Sequence, residues 1–128
     1  MRRVRMVILL LLTTTLLACA GPQPHRFVFD YSPPQTLRMI REVLRDQGYR
    51  IAAFDEPAGV ITTELREFDG QEGETVRYQI AVTIINPQEL RIRVLPPAVL
   101  DYRDQIMETL LAPLEKVGVR ATYIPPPR

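Results

Sequence analysis

The sequence predicts an α+β domain of two layers, a mostly antiparallel sheet of about five strands packed on two helices, in the order β-α-β-β-β-β-α. Two observations carry this. Val76, Tyr78, Ile80, Val82 and Ile84 alternate with Thr75, Arg77, Gln79, Ala81 and Thr83, the period of two that sets apolar side chains on one sheet face. Leu37, Ile40, Val43 and Leu44 fall instead at helical spacing, with Arg38, Arg41, Glu42, Arg45 and Asp46 on the wet side.

Taken in order, Arg26–Tyr31 reads as a first strand. Ser32 opens a helix with Pro33 at its first position, and Gln35 three residues on fits a capping box. Gly48 ends the helix as a left-handed cap. Tyr49–Phe54 is a strand, Asp55–Gly59 a turn, and Val60–Phe68 one alternating strand with Ile61, Thr63 and Leu65 on one side. After the polar loop Asp69–Glu74 comes the long strand, which Asn86–Glu89 turns back into Leu90, Ile92 and Val94 as a hairpin. A second helix is expected over Ala98–Val117, with Val99, Ile106, Leu110 and Leu114 inward and Pro113 kinking or restarting it. Gly118 ends that helix.

The amino terminus carries an address. Arg2, Arg3 and Arg5 precede an apolar run from Met6 to Leu17, too short to span a membrane but of the length of a secretory signal. Leu16-Leu17-Ala18-Cys19 resembles the lipobox of bacterial lipoproteins. That resemblance implies cleavage after residue 18 and acylation of Cys19. Each buried CH₂ contributes about 0.8 kcal/mol, so two or more chains anchor stably. Ala20, where an aspartate would imply retention in the inner membrane, points by the same resemblance to the outer membrane of a Gram-negative host. The expected organisation is a signal peptide over 1–18, the lipidated cysteine and a short tether over 19–26, one domain over 27–124 and a proline-rich tail over 125–128. The seven residues from Ala20 to Arg26 reach roughly 23 Å when extended, which holds the domain near the membrane.

Removing residues 1–18 takes three of the 16 basic residues, leaving 13 against 15 acidic ones and a net charge near −2. That balance argues against nucleic acid as a partner. Cys19 is the sole cysteine, so the domain has no internal disulfide and depends on its packed core.

The unit helix, Gln47-Gly48-Tyr49, strand, Asp55-Glu56-Pro57-Ala58-Gly59, strand resembles the repeated module in the C component of the bacterial β-barrel assembly machinery. The resemblance covers roughly residues 27–117, by pattern, and implies a helix-grip domain in which a bent sheet packs on a long helix. That component carries two such domains on a long N-terminal segment, and this chain has one on a short tether. Its fold therefore carries over better than its role.

Exclusion narrows the chemistry. His25, the single histidine, is expected as a solvated tether residue, and Ser32, the single serine, as a helix cap. With Cys19 lipidated, no Ser–His or Cys–His nucleophile pair can be assembled, nor a Cys/His metal site. No glycine-rich phosphate loop is present. Glu64 and Glu67, close in sequence, point to opposite faces of a strand. The sequence reads as a non-enzyme without cofactor.

One constellation rises above this background. If the apolar faces meet the helices, the opposite face carries Arg66, Arg77, Gln79, Arg91 and Arg93, with Glu64 among them. Such a face is either a solvated surface laced by weak cross-strand ion pairs or a grip for an anionic partner, since guanidinium forks pair bidentately with carboxylates and phosphates. The Tyr123–Arg128 segment is read as an extended tail or, alternatively, a polyproline docking segment. The expectation is a membrane-anchored adaptor that holds a protein partner in the cell envelope, its oligomeric state open. The alternative is a module binding lipid, lipopolysaccharide or peptidoglycan fragments, recognisable by a gap of a few hundred cubic ångströms between sheet and helix.

Overall fold

The computed structural model describes residues 25–70, 72–96 and 100–123. Cys19, the signal segment, Val99 and the terminal prolines lie outside them. The elements are β1 (His25–Phe29), α1 (Pro33–Asp46), β2 (Ile51–Asp55), β3 (Val60–Thr63), β4 (Arg66–Asp69), β5 (Thr75–Asn86), β6 (Glu89–Leu95), α2 (Leu100–Lys116) and β7 (Val119–Tyr123). All strand pairs are antiparallel, in the order β2-β3-β5-β6-β1-β7 with β4 also on β5. The domain is α+β, with seven strands where about five were expected.

Both additional strands follow from their pairing partners. The expected strand over Val60–Phe68 is two strands, because β3 and β4 pair successive stretches of β5 in different phase. Thr62 lies opposite Ala81 and Arg66 opposite Tyr78, so residues 63–65 span what 79 and 80 span on the partner. That one-residue excess is a bulge, and it turns every following side chain to the other face. Leu65, expected inward beside Ile61 and Thr63, is 59% exposed. Two side bonds hold the break: the Ile80 N–H donates to Thr63 Oγ1 at 2.8 Å, and the Glu64 N–H donates to the Arg50 carbonyl at 2.8 Å. The other additional strand is β7, which pairs with β1 and takes Tyr123, assigned to the tail, into the sheet.

The helices follow their sequence signals with two differences. Ser32 is the N-cap of α1, but its side chain makes no capping bond. Pro33 and Pro34 occupy the first two helical positions and have no N–H to offer, and the Ser32 carbonyl accepts the first helical bond from the Thr36 N–H at 2.9 Å. At the other end Gly48 has φ +91°, and Tyr49 and Gly48 donate to the carbonyls of Leu44 and Arg45 at 2.9 Å each, a full Schellman closure. The second difference is Pro113, which lies within α2 without ending it. So close to the C-terminus it costs one backbone bond, to the Thr109 carbonyl, and Leu114 beyond it is buried.

Both helices contribute to one core. Leu37, Ile40 and Leu44 of α1 and Ile106, Met107, Leu110 and Leu114 of α2 pack against Phe27, Ile61, Ile80, Val82, Leu90 and Ile92 of the sheet, each no more than 2% exposed. At about 25 cal/mol per Å² of apolar surface removed from water, this layer is the main source of stability in a domain without cross-links. The other sheet face has no described element on it.

Candidate functional site

The antiparallel registers decide which side chains share the uncovered face, since directly opposed residues point the same way. Arg26 lies opposite Arg91, Arg91 opposite Thr83, and Arg93 opposite Ala81. Three guanidinium groups thus gather on β1 and β6. Arg26 and Arg93 are exposed, and Arg91 is half-buried with its Nε out of solvent and without a hydrogen-bond partner among the described residues. Among the described residues none of the three has a carboxylate within salt-bridge distance, whereas Arg38, Arg41, Arg45, Arg77, Arg103 and Arg120 each have one. Like charges directly opposed across a ladder destabilise it. This sheet carries such a pair unneutralised.

The candidate residues from sequence therefore separate. Arg91 and Arg93 come together and gain Arg26, read from sequence as the end of the tether and the start of the first strand but not as part of this face; its alternation with His25 and Phe27 was the available signal. Arg77 is on the same face but is answered by Glu67 opposite it at 3.6 Å, an exposed ion pair of the weak kind. Gln79 is half-buried opposite Leu95. Glu64 sits exposed at the bulge.

Arg66 is a correction. The bulge carries it to the helix-bearing side, opposite Tyr78. There its guanidinium stands 4.5 Å over the Tyr49 ring and donates to the Gln47 carbonyl at 2.6 Å, closing the C-terminal end of α1. Tyr49 and Tyr78, 5% and 4% exposed, share a hydroxyl–hydroxyl hydrogen bond of 2.9 Å, with their rings edge to face. Burial, reinforced by the bond from Tyr78, pushes the Tyr49 hydroxyl far above the usual phenol range, so it stays protonated. These groups, with Glu67, Phe68, Ile106 and Thr109, line a half-open pocket of about 280 Å³ at the seam between α2 and the β4–β5 pair. A larger, shallower groove of about 540 Å³ runs along the solvent side of α1.

His25 is the second correction. Instead of a solvated linker residue it begins β1 and is 1% exposed, because its position opposite Ile92 points it inward. Its Nε2 is 3.7 Å from Asp104 Oδ1, and Arg103 Nε is 3.7 Å from the same oxygen. Among the described residues neither imidazole nitrogen has a hydrogen-bond partner. Burial, aided by the Arg103 charge and opposed by Asp104, lowers the His25 pKa below its ordinary 6.5, so the ring is neutral near pH 7.

Among the described residues no helix is long and apolar enough to cross a membrane. Compared with known proteins, the chain matches no family model, and no curated protein matches it.

Proposed function

We propose that this chain is an outer-membrane lipoprotein of a Gram-negative envelope, acylated at Cys19, whose helix-grip-like domain is a non-catalytic adaptor that seats an acidic partner protein on its open sheet face. The observation that carries the reading is the unneutralised cluster of Arg26, Arg91 and Arg93 on a face that no described element covers. Folding three such groups together costs repulsion that a carboxylate-bearing surface would relieve, with bidentate geometry available to each fork. The packed core between sheet and helices, with the pocket of about 280 Å³ only half-open at its edge, supports a protein-binding role over a deep lipid cavity. Only the five residues from Ala20 to Pro24 separate Cys19 from β1, a reach of roughly 17 Å, so the partner is held close to the membrane.

The test is site-specific photocrosslinking in membranes. A crosslinking residue at Thr83, opposite Arg91, is expected to trap one discrete protein, and the same residue at Met39 on α1 is not. Changing Arg26, Arg91 and Arg93 together to Gln should remove the adduct while leaving the unfolding midpoint unchanged or raised. An adduct that survives the triple change ends the arginine-face reading. One that survives Cys19→Ser shows that anchoring is not needed for the contact.

A further inference from the structure

Arg66, Tyr49 and Tyr78 converge on one pocket from three different segments, and the repulsive arginine face plays no part in it. The pocket joins the segment after α1, the bulged start of β4 and the middle of β5, with Ile106 and Thr109 of α2 as its opposite wall. Arg66, Tyr49 and Tyr78 supply donors to it. A guanidinium has five N–H groups, and one is taken by the Gln47 carbonyl. Two hydroxyls carry two hydrogens, and the Tyr49–Tyr78 bond uses one, leaving the other to donate elsewhere. Among the described residues no carboxylate lies within salt-bridge distance of Arg66. Glu67 also lines the pocket, with its carboxylate paired to Arg77 at 3.6 Å, and the rest of the lining is Thr109 with the apolar and aromatic Ile106 and Phe68.

We propose that this pocket binds a monoanionic carboxylate carried on a small apolar body, with Arg66 and the free hydroxyl of the tyrosine pair on the carboxylate and Phe68 and Ile106 on the body. A single guanidinium with a single spare hydroxyl matches one negative charge rather than a phosphate dianion. The volume of about 280 Å³ falls just under the range of about 300–1,000 Å³ usual for drug-sized ligands, which limits the occupant to a ring or a terminal residue. The bulge makes the site possible. Without the excess residue at 63–65, Arg66 would point to the other face.

The test uses the full-length chain in detergent micelles, followed by amide and tyrosine NMR signals during titration with N-acetylphenylalanine and with its neutral amide. Saturable shifts centred on Gly48, Tyr49, Arg66 and Tyr78, given by the acid and not by the amide, are expected. Arg66→Gln should weaken the acid by roughly tenfold or more, the usual loss of a charge-assisted bond. Tyr78→Phe, nearly the same shape, should weaken it less and guards against a folding defect in the first variant. Repeating the titration with a tripeptide and its C-terminal amide identifies the source: tighter binding of the free-ended peptide points to a polypeptide terminus, and exclusion of the peptide points to a free small acid. No saturable shift at these residues, equal shifts from acid and amide, or shifts confined to Arg26, Arg91 and Arg93 would each overturn the proposal. In those cases Arg66 is only the closing group of α1, and the adaptor reading is untouched.

Discussion

Gly59 and Gly73 offer a paired test of how tightly the β2–β3 turn is seated on the sheet. Both have left-handed backbones, φ +72° and +82°, so alanine at either meets the same strain of roughly 1–2 kcal/mol. Their surroundings differ. A Cβ on Gly59 would stand 2.9 Å from Ile84 Cβ and 3.2 Å from its Cγ1, and a Cβ on Gly73 would meet nothing within 4 Å among the described residues. The turn cannot simply retreat, because the Ile84 N–H donates to the Gly59 carbonyl at 2.8 Å. Crowding of this kind adds about 1–3 kcal/mol. Gly59→Ala is therefore expected to lose about 2–5 kcal/mol and Gly73→Ala only the strain itself, about 1–2 kcal/mol. At about 4–8 °C per kcal/mol for a domain of this size, Gly59→Ala should lower Tm by about 10 °C or more. Urea denaturation of the two variants beside the parent reads both numbers. Equal losses would refute the reasoning, since they would show that Ile84 yields freely and the turn is not clamped to β5.

Two further outcomes follow from buried polar groups. Thr63→Val keeps the shape but removes the acceptor of the buried Ile80 N–H, so it should cost about 1–3 kcal/mol in urea unfolding, with Thr63→Ser restoring most of it. The lowered pKa of His25 sets the sign of a pH effect: the unfolded chain takes up the proton near 6.5 while the folded one still resists it, so stability is full above that value and falls as pH drops toward the lower folded pKa. Unfolding midpoints taken from about pH 8 to about pH 5.5 should show this decline, and His25→Leu should flatten it. A variant with the same slope as the parent would assign the effect to other groups.

Each helix and most strands were legible because their signals are local. The period of Leu37, Ile40, Val43 and Leu44, the proline at the start of α1 and the glycine at its end all act within a few residues, and each is met in the structure. The five-residue alternation of β5 and its return through Asn86–Glu89 into β6 are equally local, and all of Tyr78, Ile80, Val82, Leu90, Ile92 and Val94 are buried. The site was harder to read. Alternation correctly set Arg91 and Arg93 on one face, but no local pattern reports which strand lies beside them, so Arg26 was missed.

The amino-acid sequence by itself determined the α+β class, the two amphipathic helices, the central hairpin and the absence of any internal cross-link. Period and capping are properties of short segments, and short segments can be read without their partners. The tertiary structure alone decided the register of β3 and β4 on β5, the burial of His25 and the pairing of β7 with β1. Each depends on a neighbour distant in the chain. One extra residue between Thr62 and Arg66 is invisible until its partner strand is known, yet it moves Arg66 from the open face to the tyrosine pocket, because a strand with a side-chain period of two reverses every residue beyond a single slip.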